Sequence, residues 1–404
     1  MKFIHNDPSF GIDYDWNKIK KEYEKLNTPS DRYQIPWDAI LQGAKYFEIL
    51  SKRSTGKTTN WILLGMVMNK LYGTEIQYIR ATEDELKPTY AEEIVTVLRT
   101  YENGYYIKKI TNGEYNDIYY HWRKFYYQYR DENGNITKKS DRHFMTMLSV
   151  DNHEDYKSTY NAPYGDIIIF DEFIRKYYPP NECINFMDLT KTIIRDRLSP
   201  IIVMLANNTN FNSQYFEELE ISREIKKLSE GKSDIIVTDY GTKMYIEYVG
   251  LKLTDEGTRR KDKHNSIFYG FKNPKLASIT GGQVWAFESV QHIPDKETQT
   301  NRKIIFRNLY LKHGIELLQL EIIKSKELGL HLEVHRANRT YDDSIILTLK
   351  ELESKQYYFG LGNNRLYKIL KKLIEDRRVY YSSNEVGSIF KDYIKQYKLL
   401  KNNY

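Results

Sequence analysis

Ser51-Lys52-Arg53-Ser54-Thr55-Gly56-Lys57-Thr58 is the stretch that decides the fold. It reads as a P-loop, the phosphate-cradling turn between a strand and a helix. The apolar run Tyr46-Phe47-Glu48-Ile49-Leu50 before it suits a strand. After it, Trp61, Leu63, Leu64, Met66, Val67 and Leu71 recur at helical spacing. A helix starting there aims unpaired N–H groups and positive dipole at phosphates. The reading assigns residues 51–59, from Ser51 through Thr55 and Gly56 to Thr59, to the nucleotide. Lys57 reaches the β- and γ-phosphates of ATP, and the Thr58 hydroxyl ligates Mg²⁺. Ser51 stands where the motif usually has its first glycine. The competing reading is a Lys/Ser/Thr-rich surface loop, and the flanking strand and helix weigh against it.

A second signal lies downstream. Ile167-Ile168-Ile169-Phe170 followed by Asp171-Glu172 has the form of a Walker B strand. Its unbroken apolar run suits a parallel strand buried on both faces. Asp171 is expected to meet Mg²⁺, and Glu172 to act as general base on the attacking water. Ile201-Ile202-Val203-Met204-Leu205 is another buried strand. It ends in Asn207-Asn208, where a γ-phosphate sensor is expected. The bland alternative is a turn, which Asn favours anyway.

The 404 residues allow two domains with real cores. Cys183, the only cysteine, excludes an internal disulfide and any cysteine-cluster metal site, and points to a reducing compartment. No apolar run is long enough to span a membrane, and the first residues lack a signal-peptide core. A net charge of +6 permits a polyanionic partner without demonstrating one. Residues 1–250 read as the P-loop domain with a polar N-terminal extension, in which aromatics such as Trp37 are assigned to packing. An antiparallel β-ribbon is read as inserted near 104–150, with hairpin turns at Asn112-Gly113 and Asn133-Gly134. Its interleaved Lys, Arg and Tyr suit either nucleic acid or a solvated face. Residues 251–281 read as a linker subdomain. The segment 282–404 reads as α/β or α+β, with three strands at 303–335 and helices near 346–356, 363–376 and 384–396.

The chain resembles the DNA-packaging ATPases of small, protein-primed, short-tailed podophages, compact relatives of the terminase large subunit. The resemblance rests on Ile167-Ile168, Phe170-Asp171-Glu172-Phe173-Ile174-Arg175, Tyr178-Pro179-Pro180-Asn181-Glu182, Thr192-Ile193-Ile194-Arg195-Asp196-Arg197 and Leu205-Ala206-Asn207, with Arg53 inside the P-loop also typical. It covers residues 45–210 well and the remainder in outline. It implies an α/β fold: a RecA-like ATPase domain of the additional-strand type, a linker subdomain, and a C-terminal RNase H-like domain. It further implies a homo-oligomeric ring, expected to be pentameric, at the portal vertex of a capsid in the host bacterial cytoplasm. The ring would move double-stranded DNA using ATP and Mg²⁺, with the portal protein and in some members a structural packaging RNA as partners. By position Arg195 matches the arginine finger that reaches a neighbour's site, with Arg197 as fallback. Lys157 is the nearest match to a basic residue acting across the same interface.

A working nuclease of the RNase H type needs acids on its first strand to hold two metals. Lys303 to Leu311 contains none, so an inactive nuclease-like fold is expected. Two other classes share the ATPase motifs. A helicase or replication loader should carry further signatures after Asp171-Glu172, and none is found. A nucleotide-binding structural protein would not need Lys57, Thr58, Asp171 and Glu172 together.

Overall fold

The computed structural model describes residues 11–51, 55–175, 178–179, 181–207, 213–250, 290–295, 300–314, 316–349, 356–358 and 365–402. Lys52, Arg53 and Ser54 of the P-loop, Asn208 and the 251–281 linker lie outside them. The chain divides into two compact units. The first comprises Met1–Lys176, Asn181–Asn210 and Glu224–Val284; the second comprises Tyr177–Pro180, Phe211–Arg223 and Trp285–Tyr404.

The first unit is built on a 9-stranded sheet. Its strands are β1 (Tyr46–Ser51), β2 (Glu75–Arg80), β3 (Asp117–His121), β4 (Lys124–Arg130), β5 (Ile136–Ser149), β6 (Gly165–Asp171), β7 (Ile201–Asn207), β8 (Lys232–Val237) and β9 (Lys243–Tyr248). Seven of its helices are α1 (Trp16–Glu24), α2 (Trp37–Leu41), α3 (Lys57–Tyr72), α4 (Pro88–Thr100), α5 (Tyr105–Ile110), α6 (His153–Thr159) and α7 (Glu182–Ile194). The spatial order is β3-β4-β5-β2-β6-β7-β1-β9-β8. From β5 through β9 neighbouring strands run parallel. The outer pairs are antiparallel. β7 therefore stands between the P-loop strand β1 and the strand β6 that ends in Asp171. β6 is buried at every residue, as its uninterrupted isoleucines require.

Helix α3 follows the P-loop as expected, but it is enclosed rather than amphipathic: every residue from Asn60 to Met68 is buried. Gly65 makes this close packing possible, since a Cβ there would stand 2.4 Å from Ile76 Cγ1 on β2. The N-terminal extension braces the same region. Tyr33 N donates to Thr55 O at 2.9 Å, and Tyr23 Oη donates to Asn60 Oδ1 at 3.1 Å. Trp37 packs edge-on against Tyr23.

Residues 104–150 differ from the ribbon read from the sequence. Tyr105–Ile110 is helical, and Asn112-Gly113 ends that helix, with Gly113 N bonded to Lys108 O. Asn133-Gly134 does lie between β4 and β5, where Gly134 N bonds Asp131 O. The β3–β4 turn is instead Trp122-Arg123, both at positive φ, a pair without the usual Asn or Gly signal. The second half of β5 is buried on both faces and pairs parallel with β2, so this segment extends the main sheet.

The second unit holds a 6-stranded sheet: β10 (Lys303–His313), β11 (Glu316–Ser325), β12 (Gly329–Arg336), β13 (Ile345–Thr348), β14 (Gln356–Tyr358) and β15 (Val379–Tyr381), in the order β14-β13-β10-β11-β12-β15. β10, β11 and β12 are antiparallel, while β13 runs parallel to β10 and β14 parallel to β13. Helices Arg365–Glu375 and Asn384–Asn402 form a core with this sheet, where Leu370, Ile389 and Phe390 cluster with Leu311, Leu320 and Val334. The helix read near 346–356 is corrected. Ile345-Ile346-Leu347 is a short apolar run, ambiguous by periodicity, and it resolves as a strand beside β10.

Glu321 and Glu333 face each other across β11 and β12. His335 Nε2 lies 3.5 Å from Glu321 and 3.6 Å from Glu333, and Arg302 lies 2.8 Å from Glu333. Hydrogen bonding to the two carboxylates raises His335 to about 9, against the effect of burial. Burial opposes ionisation of Glu333, but contacts from His331, His335 and Arg302 outweigh it and hold its carboxyl well below the usual range. A histidine with raised pKa contributes stability that is complete below its unfolded value near 6.5 and lost as pH rises through about 9. The unfolding midpoint of the second unit, followed by urea titration, should therefore fall between pH 6.5 and 9. His335→Gln should flatten that slope.

Candidate active site

The carboxyl ends of parallel strands are where an open α/β sheet binds ligands. Register brings four such ends together here. Ser51 of β1 lies opposite Asn207 of β7, Asp171 of β6 opposite Leu205, and Ile79 of β2 opposite Phe170. Residues scattered from 51 to 207 in the sequence thus share one rim of the sheet.

The P-loop enters α3 through Gly56, whose φ of +83° is a left-handed conformation that glycine adopts without strain. Ser51 is fully buried and its Oγ lies 3.0 Å from Thr55 Oγ1. The residue in place of the usual glycine thereby closes the loop across its two ends. Lys57 is the first residue of α3 and is 5% exposed. Its Nζ donates to Asn207 Oδ1 at 2.7 Å, and Asn207 Nδ2 donates to Glu172 Oε1 at 3.3 Å. One amide therefore links the candidate phosphate-binding cation to the candidate base. Of the two asparagines considered for the sensor, Asn207 stands at this rim, and Asn208 lies outside the described residues.

Thr58 Oγ1 lies 3.3 and 3.2 Å from the two oxygens of Asp171. Adjacent oxygens around an octahedral Mg²⁺, with bonds of 2.0–2.1 Å, stand about 2.9 Å apart. A contraction of a few tenths of an ångström would seat both, so this hydroxyl and carboxylate fit the metal. Tyr78 Oη donates to Asp171 Oδ2 at 2.7 Å. Burial, then the Asp171 charge, raises the Tyr78 phenol well above its ordinary value, so it stays a donor.

Glu172 follows β6 directly at a φ of +58°, an uncommon conformation for a residue with a side chain. Its Oε2 accepts from Arg80 Nη2 at 3.0 Å. Arg80 ends β2, and its side chain is 3% exposed. Its Nε donates to Glu85 Oε2 at 3.1 Å, and the guanidinium lies 4.8 Å from the Tyr90 ring centre. Burial disfavours its charge, yet the Asp171 and Glu85 carboxylates beside it hold the guanidinium charged. Tyr78 and Arg80 are site residues that the sequence reading missed. Their strand was legible, but its place beside β6 is a matter of topology that chain order does not carry.

The three residues proposed to act across a subunit interface fare differently. Arg195 follows α7, is exposed, and has φ +51° and ψ −121°, a strained backbone for a side-chain-bearing residue. It lies in the turn that reaches the amino end of β6, where Asp166 is bonded by Ser199 and Arg197. The candidate site is at the other end of that strand. Seven residues of strand at about 3.3 Å each put roughly 20 Å between the two ends. The fallback, Arg197, is corrected: it is 7% exposed and donates to Asp166, Pro163 O, Gly165 O, Ile193 O and Ile194 O. Those five acceptors occupy the five donors of a guanidinium, leaving none for a neighbour. Lys157 lies on α6, 2.8 Å from Glu154 and 2.7 Å from Asp188 on α7, in a solvent-facing cluster.

Among the described residues two further groups of side chains converge closely enough to consider a metal: His153, Glu154 and Asp188, and Glu321, Glu333 and His335. Lys157 and Arg302 respectively already sit against their carboxylates. No helix among the described residues is long and apolar enough to cross a membrane.

Fold and rim together define an α/β protein in which the start of α3, at Lys57 and Thr58, stands beside a paired Asp-Glu strand end. Among solved structures the chain is similar over nearly its whole length to "The Phi-28 gp11 DNA packaging Motor". That match has a TM-score of 0.50 and 18% identity, covering 91% of this chain and 98% of that one. It is also similar to the bacteriophage Phi-29 viral genome packaging motor assembly, with a TM-score of 0.51 and 15% identity, covering 90% and 99%. The chain thus has the fold of phage DNA-packaging motor proteins. No protein-family model and no curated protein matches its sequence.

Proposed function

We propose that the chain is the ATPase of a viral DNA-packaging motor, hydrolysing ATP with Mg²⁺ to drive double-stranded DNA into a preformed capsid. The observation that carries this is the convergence of Lys57, Thr58, Asp171, Glu172 and Asn207 on one rim. In this reading Lys57 and the P-loop backbone hold the phosphates. Thr58 and Asp171 hold the metal, which supplies charge neutralisation on the β- and γ-phosphate oxygens. Glu172 takes the proton of the attacking water. Asn207 loses its lysine when Lys57 turns to phosphate, and so reports the γ-phosphate to Glu172.

Arg195 completes a neighbour's site. Its distance from its own rim supports action in trans, and its strained, exposed backbone supports a presenting role. The protein works as a homo-oligomeric ring, pentameric by resemblance, on the portal protein, with a packaging RNA as a further candidate partner. The second unit is proposed to be RNase H-like and inactive as a nuclease. Its three antiparallel strands followed by parallel β13 and β14 support the first half, with β15 a further parallel strand beside β12. The absence of Asp or Glu from Lys303–His313 supports the second.

The test is packaging itself: purified protein, empty capsids with portals, the phage's own DNA and ATP. Unit-length DNA should become resistant to added nuclease only with ATP. ATP hydrolysis that DNA and portals leave unchanged, without protection, would count against a motor. Strand separation on a forked duplex would move the reading to a helicase. In parallel, supercoiled plasmid incubated with Mg²⁺ or Mn²⁺ should remain unnicked. Nicking that tracks the protein and is lost on removal of the second unit would overturn the inactive-nuclease assignment.

A further inference from the structure

We infer that Asp166 is the positioning residue for Arg195, the buried anchor that clamps both shoulders of the turn presenting that side chain. This rests on the reading of Arg195 as the group that completes a neighbour's site. A backbone at φ +51° and ψ −121° is strained for a residue with a side chain, and it persists only where its surroundings over-determine it. Exposure alternates along the turn. Arg195, Asp196 and Leu198 face solvent, while Arg197 and Ser199 are buried. The two buried residues hold the turn in place.

Both shoulders converge on one carboxyl group. Before Arg195, the end of α7 is gripped by the Arg197 guanidinium, which donates to Ile193 O at 2.7 Å and Ile194 O at 3.3 Å. The same guanidinium reaches Asp166 Oδ1, Pro163 O and Gly165 O at the amino end of β6. After Arg195, Ser199 Oγ donates to Asp166 Oδ2. Asp166 is the one carboxyl among these acceptors, and charge-assisted hydrogen bonds are roughly twice as strong as neutral ones. Asp166 is 1% exposed and is itself held by Tyr14 Oη of the N-terminal extension, which donates to Oδ2 at 2.7 Å. Burial, then the Asp166 charge, raises the Tyr14 phenol well above its ordinary value, so it stays a donor. Lys45 Nζ adds a separate tether at Leu198 O. The place from which Arg195 reaches outward is therefore set by the end of β6. A guanidinium that must meet a transferring phosphoryl group needs that precision, since a misplacement of about 1 Å costs on the order of 10²-fold in rate.

The test is ATP hydrolysis by the full-length protein, alone and in mixtures, with binding of a non-hydrolysable ATP analogue measured alongside. Asp166→Asn keeps the size of the side chain and removes its charge. It should lower kcat about 10²-fold, with analogue affinity within about 3-fold of wild type. Mixing with Glu172→Gln protomers should restore hydrolysis, because they lend a well-placed Arg195 to neighbours whose own Glu172 is intact. Mixing with Arg195→Ala protomers should restore none, because neither kind presents the guanidinium in place. In an Arg195→Ala background, Asp166→Asn should have no further effect on kcat. A merely structural role would damage the variant's own site, which no partner could repair. Wild-type kcat in Asp166→Asn, or a fall matched by equal loss of analogue affinity, would overturn the proposal. So would failure of Glu172→Gln to rescue Asp166→Asn under conditions where it rescues Arg195→Ala. If Asp166→Asn does not fold, Ser199→Ala decides. It frees one shoulder of the turn and should lower kcat on the order of 10-fold with the same pattern of rescue; wild-type kcat would overturn the proposal. Full activity of Arg195→Ala, or its failure to be rescued, would remove the reading of Arg195 and this proposal with it. Wild-type turnover by Asp166→Asn beside an inactive, rescuable Arg195→Ala would remove this proposal only.

Discussion

Arg195→Ala protomers are expected to hydrolyse ATP at least about 10³-fold more slowly than wild type, and to regain hydrolysis when mixed with Glu172→Gln protomers. The size of the effect follows from what a guanidinium does beside a transferring phosphoryl group. It neutralises charge that develops only in the transition state, worth 10³ to 10⁵ in turnover where such fingers act. Rescue follows from geometry. Arg195 lies near the amino end of β6 and Glu172 at the carboxyl end, roughly 20 Å away by strand rise, beyond the reach of one side chain. A Glu172→Gln protomer still carries Arg195 and can lend it to an Arg195→Ala protomer whose own Glu172 is intact. Hydrolysis measured across mixing ratios should therefore pass through a maximum. Full activity of Arg195→Ala alone would end the finger assignment. No rescue at any ratio, with assembly confirmed by light scattering, would place the action of Arg195 within its own protomer.

Glu172→Gln should bind ATP with near-normal affinity and lose turnover by about 10² to 10⁴-fold, the range attributed to a positioned general base. Gln retains the length of the side chain and one oxygen to accept from Arg80 or Asn207, so one of the two hydrogen bonds to this side chain is kept. What it lacks is the capacity to take a proton. The measurement is analogue affinity and single-turnover hydrolysis on the same preparation. Near-normal hydrolysis would remove Glu172 from its role. An equal loss of affinity would show that the substitution had damaged the phosphate site as well.

Much of this rim could be read from the chain because its residues come at the ends of strongly apolar strands. Ile167 to Phe170 declares a buried strand, and whatever follows it must surface at an edge. The same logic located Asn207. Other parts were closed to that reasoning. Arg80 ends a strand that alternates like any half-exposed one, and only the adjacency of β2 and β6 turns it inward. Glu48 sits inside β1 with both carboxyl oxygens buried and unpartnered, and burial raises it to about 8. Nothing in Tyr46-Phe47-Glu48-Ile49-Leu50 announces a protonated acid. Arg197 was misjudged because two arginines in one turn look alike in sequence, while Asp166 and four carbonyls distinguish them in space. At Ile345–Leu347, tertiary pairing decided between two conformations that local pattern left equal.

The left-handed backbone at Glu172 has an evolutionary consequence. Glycine and asparagine tolerate that conformation far better than glutamate does. A sequence drifting under selection for folding alone would therefore lose this acid early, and the resulting chain would be sturdier and inert. Glutamate at a position that disfavours it is what a trade between robustness and activity would leave. Among descendants of this chain, glycine or asparagine at 172 would be the signature of a fold kept after this acid's role had lapsed.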